Sequence, residues 1–237
     1  MYKRIMIKIS GEALEDKENH LPYKPDFIES IYTMVNQICQ KGVEIMIVVG
    51  GGNIFRGRVA SSIGVDRATG DYMGMLATIM NAMALQSYFE SRGLDCRVMS
   101  ALPLNACCEP YIRRKALRHL EKKRVVIFAA GIGSPYFTTD TCTALRAKEM
   151  MADCIFMGKN GVDGVYSDDP RQNRKAKLLR KITYHEILAE SLQVMDNTAV
   201  GLLEDTDIEI RVFNMADPQN AVRLVEGEEI GTLISRK

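Results

Sequence analysis

The sequence predicts an α/β fold, a three-layer α/β/α sandwich around a mainly parallel sheet. Three observations predict it. Short apolar segments rich in β-branched residues recur along the chain, most as continuous runs, the mark of strands buried on both faces. Stretches with helical spacing lie between them, long enough for the crossover that a parallel pair requires. Three of the apolar segments run into glycine junctions, at Ile9-Ser10-Gly11-Glu12, Gly50-Gly51-Gly52 and Ala130-Gly131-Ile132-Gly133. The carboxyl ends of strands are where such sheets bind ligands.

The elements follow in order. Residues 3–9 (KRIMIKI) predict the first strand. Phe27, Ile31, Met34, Val35 and Ile38 form a helical stripe, stopped by Lys41-Gly42, a basic last turn and a glycine. Residues 43–49 (VEIMIVV) predict the second strand, and residues 72–92, rich in Met and Ala, a helix closed by Arg92-Gly93. Met73, Met75, Met80 and Met83 read there as core filler. Further strands are expected at 96–100, 124–130, 153–157 and 209–214, and helices at 110–122, 140–152, 184–204 and 218–226. Residues 161–182 break the rhythm and read as a hairpin or ordered loop.

The bulk numbers exclude several classes. With 237 residues, 46% hydrophobic and 26% charged, the chain reads as soluble and globular, and no Pro/Ser/Gly-rich linker divides it. One domain over residues 1–237 is expected. Its 31 basic and 30 acidic residues leave a formal charge of +1, which offers no surface for nucleic acid or membrane. Apolar runs are too short to span a bilayer, and Met1-Tyr2-Lys3-Arg4 runs into a strand without a signal-length apolar stretch, so a cytoplasmic location is expected. The six cysteines form no CxxC and lie apart from His20, His119 and His185, which argues against zinc and for reduced core thiols.

Chemistry concentrates at the strand ends. A backbone without Cβ atoms can approach a phosphate closely and turn several N–H groups toward it. Arg56, four residues past Gly52, adds a planar and permanently charged fork. Lys8 interrupts Ile5-Met6-Ile7-Lys8-Ile9. On an edge strand it would snorkel into water; with Ser10-Gly11-Glu12 next, it reads as facing a phosphate. Gly52 to Gly57 has P-loop glycine spacing, but Arg58-Val59 stands where Lys-Ser/Thr is required, and Phe55 and Tyr136 interrupt GxGxxG. Both fingerprints fail.

The segment Gly131-Ile132-Gly133-Ser134-Pro135-Tyr136-Phe137-Thr138-Thr139-Asp140 is the richest. Thr139 or Asp140 as an ordinary helix N-cap explains its end but not the glycines, proline and aromatics before it. Asp71 has two open readings, a ligand-binding carboxylate or the N-cap of the helix that follows. Asn160, Tyr166 and Asp169 lie in an irregular stretch where Tyr166 can simply pack a hairpin. His119 and His185 read as surface residues and Lys122-Lys123-Arg124 as a solvated helix end; no GxSxG or HExxH occurs.

Lys8-Ile9-Ser10-Gly11-Glu12, Gly50-Gly51-Gly52-Asn53-Ile54-Phe55-Arg56-Gly57, Gly70-Asp71-Tyr72-Met73-Gly74-Met75-Leu76-Ala77-Thr78 and Pro135-Tyr136-Phe137-Thr138-Thr139-Asp140 together resemble the bacterial uridylate (UMP) kinases of the amino acid kinase family. So do Val162-Asp163-Gly164-Val165-Tyr166 and Arg211-Val212-Phe213-Asn214-Met215. The resemblance implies an amino acid kinase-like fold and an enzyme that phosphorylates UMP to UDP with ATP and Mg2+, the ion being held mainly by ATP phosphates and water. It also implies a homohexamer with UTP as inhibitor and GTP as effector. The segment Ala13 to Lys24 lacks the Gly-Phe-Gly pattern that some members carry near the GTP-activation region.

By motif position, Lys8, Ile9, Ser10 and Gly11 would hold ATP phosphates, with Gly52 on ATP and Gly51 on UMP. Arg56 would lie between the phosphate groups, and Asn160, Tyr166 and Asp169 at the ATP nucleoside. Asp71 would bind UMP, and Ile132, Gly133, Ser134, Pro135, Tyr136, Phe137, Thr138 and Thr139 would wrap it. Lys8, Arg56 and Asp140 form the expected catalytic set, Asp140 orienting Lys8 or a magnesium-bound water rather than taking a proton. The alternatives are a carboxylate or carbamate kinase of the same fold, of the acetylglutamate or carbamate kinase kind, and a nucleotide-sensing oligomer without catalysis.

Overall fold

The structure, a computed structural model, describes residues 2–57, 62–173, 175–190, 192 and 194–237. Its strands are β1 (Arg4–Ile9), β2 (Glu44–Val49), β3 (Cys96–Ser100), β4 (Glu109–Pro110), β5 (Val125–Ala129), β6 (Cys154–Lys159), β7 (Val165–Tyr166), β8 (Leu178–Leu179), β9 (Lys181–Thr183), β10 (Glu209–Asn214) and β11 (Thr232–Ser235). Its helices are α1 (Gly11–Leu14), α2 (Pro25–Gln40), α3 (Arg67–Ser91), α4 (Arg113–Glu121), α5 (Thr139–Glu149), α6 (Tyr184–Ala189), α7 (Asn197–Leu203) and α8 (Gln219–Glu226). Nine strands among the described residues form one sheet in the order β4-β3-β5-β2-β1-β6-β10-β11-β9. The pairs from β4 to β10 are parallel; β11 runs antiparallel to β10, and β9 follows β11 in parallel.

Side-chain alternation along the central strands builds two cores. Ile5, Ile7 and Ile9 of β1 face one side with Ile45, Ile47 and Val49 of β2, under α2, α3 and α8. Met6 faces the other side with Met46, Val48, Val126 and Phe128, under α4, α5, α6 and α7. Both faces are therefore covered, and the three layers expected from the continuous apolar runs are present. Each fully buried Ile or Phe adds about 1.5–3 kcal/mol relative to exposure.

All six expected strands are present as β1, β2, β3, β5, β6 and β10. The irregular stretch is a hairpin, with β7 antiparallel to β8. The additional strands β4, β9 and β11 are short, and a segment of two to four residues carries too little periodicity to read.

Of the two readings of Lys8, the edge strand falls away: β1 pairs with β2 on one side and β6 on the other. Several other expectations need correction. The helix expected at 72–92 begins at Arg67, because the Asp66 side chain accepts from Thr69 N and caps it there. Asp71 is therefore inside α3 and is no N-cap. Thr138, not Thr139 or Asp140, caps α5. The helix expected at 184–204 is two, α6 started by a Thr183–Glu186 capping box and α7 by Asp196. Of the methionines read as core filler, Met75 is buried, but Met80 and Met83 are exposed on α3 beside Tyr72 and Leu76. Cys107 is exposed, and the His119 side chain is only 12% exposed, paired with Glu109 at 3.2 Å.

Candidate active site

The junctions after β1 and β2 touch through their backbones. Residues 9 and 49 are in register, and Gly50 N donates to Ile9 O at 2.9 Å. A Cβ on Gly11 would stand 2.5 Å from Gly50 O and 2.6 Å from Gly52 N, so no other residue fits without moving main chain. Ile9 turns its own side chain into the core, which leaves only its backbone for a ligand, while the Ser10 hydroxyl makes no capping bond to α1.

The third junction is wound tightly. Ala130 (φ 62), Gly131 (φ 55), Gly133 (φ 85) and Tyr136 (φ 73) all adopt left-handed backbone. For Ala130 and Tyr136, which carry a Cβ, this costs about 1–3 kcal/mol each and needs neighbours to hold it. Helix α3 supplies them. Ala130 N donates to the buried Thr78 Oγ1 at 2.9 Å, and Tyr136 N donates to Asp71 Oδ2 at 2.8 Å. Asp71 is steadied in turn by Arg67, whose Nε lies 2.9 Å from both carboxylate oxygens.

Alternation places Lys8 on the Met6 face of β1, where α5 packs. Its Nζ lies 3.1 Å from Asp140 Oδ1, with side-chain exposures of 13% and 19%. This is an ion pair rather than an aligned hydrogen bond, since Oδ1 is buried and has no hydrogen-bond partner. A third charge completes the cluster, and sequence reading missed it. Lys159, the last residue of β6, donates from Nζ to Val194 O at 2.6 Å. Burial lowers the pKa of its ammonium; the positive charge of Lys8 adds to this, and Asp140 acts in the opposite sense. The signal was present: Cys154 to Lys159 repeats the pattern of β1, an apolar run broken by a lysine near its carboxyl end.

Two hollows are lined by residues of this cluster or next to it. The smaller, ≈ 180 Å³, is lined by Gly51, Gly52, Asp71, Gly131, Ser134 and Phe137 to Thr139, among others. The larger, ≈ 600 Å³, is lined by Lys159, Tyr166, Asp169, Val194 and Val212 among others. Lys159 borders the larger hollow, and Thr139, adjacent to Asp140, borders the smaller. Tyr136 and Phe137 are exposed beside it, Ile132 packs against the second core, and Gly133 backs onto Ala101, whose O would lie 3.1 Å from a Cβ there. Pro135 is partly buried within the same turn.

Two expected residues stand apart. Arg56 folds back on its own loop: Nε donates to Gly52 O at 3.1 Å, and the guanidinium meets Glu15 at 3.2 Å and Glu12 at 3.8 Å. These pairs are half exposed and so worth about 0–1 kcal/mol at most, a weak hold against an arriving anion. Asn160 is exposed and borders a different hollow with Glu12 and Ala13. Arg58 and Val59 lie outside the described residues.

The described residues contain no group of three or more His, Cys, Asp or Glu able to hold a metal ion. The arrangement instead offers cations, glycine-rich backbone and one buried carboxylate oxygen, a set suited to binding polyanions.

The profile of the amino acid kinase family matches residues 3–214. Among solved structures, UMP kinase from Bacillus anthracis is 41% identical, with 100% of this chain and 97% of that one covered and a TM-score of 0.96. UMP kinase from Ureaplasma parvum is 37% identical, with 99% of each chain covered and a TM-score of 0.93. Uridylate kinase from Archaeoglobus fulgidus is 27% identical over 98% of this chain and 99% of that one, with a TM-score of 0.75.

Proposed function

The chain belongs to the amino acid kinase family, among relatives that are UMP kinases, and from that premise we propose that it is an ATP-dependent kinase that phosphorylates UMP to UDP. The observation that carries the reading is the Lys8–Asp140 ion pair with Lys159 near it, Lys159 lining the larger hollow and Thr139, next to Asp140, lining the smaller. In this reading ATP takes the larger hollow, with Tyr166 and Asp169 at its nucleoside. UMP takes the smaller, with Asp71 and the 131–139 turn around it.

The chemistry asks for charge control rather than a base. A nucleoside monophosphate carries about −1.5 to −2 charges at neutral pH, so its oxygen is already a nucleophile. That oxygen forms a bond to the γ-phosphorus of ATP while the bond from that phosphorus to the β,γ-bridging oxygen breaks, and ADP leaves. Catalysis then rests on alignment and on stabilising charge. Lys8 and Lys159 supply two fixed cations, the glycine junctions supply N–H donors, and Arg56 adds a third cation once released from Glu12 and Glu15. Asp140 keeps the Lys8 ammonium aimed.

Magnesium fits this set. Oδ1 of Asp140 is a buried oxygen with no hydrogen-bond donor, and the lack of a carboxylate cluster among the described residues suits an ion held chiefly by nucleotide oxygens and water. When bound, it neutralises charge on the phosphates. We assign the same protein a cytoplasmic location and a homohexameric state with UTP and GTP as effectors. The exposed apolar face of Tyr72, Leu76, Met80 and Met83 on α3 supports association, and no helix among the described residues is long and apolar enough to cross a membrane.

Coupled ADP release with UMP, CMP, dUMP, acetylglutamate and carbamate, each with and without GTP and UTP, tests the reading. UMP-dependent turnover is expected; ATP binding without it would return the sensor alternative, and turnover of a carboxylate or carbamate would return the other kinases.

A further inference from the structure

One carboxylate outside the charged cluster braces the start of α5. Asp196 caps α7, accepting from Ala199 N at 2.9 Å. The same group accepts from Thr141 Oγ1, at 3.0 Å to one oxygen and 2.9 Å to the other, and from Thr138 Oγ1. Thr138 is itself the cap of α5, where its hydroxyl oxygen accepts from Asp140 N at 3.0 Å and Thr141 N at 3.1 Å. A hydroxyl has one proton and two lone pairs. With the proton committed to Asp196, the lone pairs of Thr138 are left for the α5 amides, one of which belongs to Asp140.

Two residues upstream, Val194 O receives the Lys159 ammonium. The turn Val194-Met195-Asp196 therefore grips Lys159 by a carbonyl and the start of α5 by a carboxylate. Val194 and Met195 are buried, so the grip is anchored in the core. Capping alone does not account for aspartate here, because serine or asparagine caps a helix as well. Receiving two hydroxyl protons and an amide on one side chain takes an ionised group with two acceptor oxygens. Partial burial pushes the Asp196 carboxyl up, yet the bonds from Thr138, Ala199 and Thr141 outweigh it and hold the group below the usual range.

Building on the kinase reading above, we propose that Asp196 is a positioning residue for phosphoryl transfer: by fixing the Thr138 hydroxyl it sets the first turn of α5 and holds Asp140 in register with Lys8. It lines neither hollow. The inference deepens the assigned reaction by tying the acceptor-side turn to the lysine on the ATP side through one short segment.

Two variants test it in the full-length protein. Asp196→Asn and Asp196→Ser can each cap α7, but neither can do so and also accept both threonine protons, since a lone amide or hydroxyl oxygen has two lone pairs for three donors. In each, kcat with UMP is expected to fall about tenfold or more while the KM for ATP stays within about twofold, the pattern of a lost transition-state interaction. Hydrogen exchange of the segment 134–145 is expected to quicken about tenfold, with global protection retained. Normal kcat in both variants, unchanged exchange at that segment, or a loss of kcat that only follows global unfolding overturns the proposal. A wild type that releases no ADP with UMP would instead remove the kinase reading, and the catalytic part of this assignment with it.

Discussion

Lys8 Nζ lies 3.1 Å from Asp140 Oδ1, an ion pair that joins the carboxyl end of β1 to the first turn of α5. Both partners are largely shielded from water, so each compensates a charge that would otherwise be costly to bury. The pair also leaves the ammonium near Lys159, and two like charges this close await an anion. Such a site stores its electrostatic cost until a polyphosphate arrives.

In the proposed reaction, replacing Lys8 by alanine removes a donor to the transferred group. We expect Lys8→Ala to lower kcat by more than about a hundredfold, the scale for one transition-state donor. Circular dichroism should show the fold intact. A kcat near wild type would exclude Lys8 from the reaction.

In the proposed reaction Asp140 orients and does not accept a proton, because the acceptor phosphate is already anionic. Asp140→Asn is expected to depress kcat while both limbs of the pH–rate profile remain. Loss of the acidic limb in this variant would restore a general-base role.

Asp71 is presented to the smaller hollow by Arg67 and Tyr136 N. Asp71→Asn should raise the KM for UMP by about ten- to a hundredfold, the worth of a hydrogen bond to a charged group, and leave the KM for ATP unchanged. Steady-state kinetics with each substrate varied in turn checks this; a rise for ATP alone contradicts it.

Lys159 has a depressed pKa through burial first and Lys8 second. Below its folded value the ammonium is charged in both states and its burial opposes folding. As pH rises from there toward the ordinary lysine value of about 10.4, the folded form has already shed its proton, and stability increases. Activity is expected to move the other way, since the proposed reaction uses the charge. We expect an alkaline limb in kcat below the usual lysine range, absent from a weakly active Lys159→Met. That variant should be at least as stable as wild type, because an apolar side chain removes the buried charge. An unaltered limb in Lys159→Met would assign it to another group.

Gly11 and Gly201 should respond oppositely to alanine. At Gly11 the new Cβ meets only main chain at 2.5–2.7 Å, so strain of about 1–3 kcal/mol is expected, with loss of ATP binding. At Gly201, in α7 with nothing within 4 Å, alanine should stabilise by about 0.5–1 kcal/mol. Thermal melts and ATP titrations separate the two.

The strands, the glycine junctions and Lys8 were determined by the sequence alone, because these signals are local. A continuous apolar run, a missing Cβ and a lysine among isoleucines each state a requirement within a few residues. Helix starts were less legible: Asp66 and Asp71 carry the same side chain, and only the hydrogen bond from Thr69 N separates cap from interior. The tertiary structure decided what depends on neighbours distant in the chain. Sheet order set β1 between β2 and β6, which brought Lys159 to Lys8 and made an interior strand of what could have been an edge. Docking of α7 on α5 brought Asp196 to Thr138, and packing of α3 brought Asp71 to Tyr136 N. Charge in a protein is priced by its surroundings, and those surroundings exist only once the chain has closed on itself.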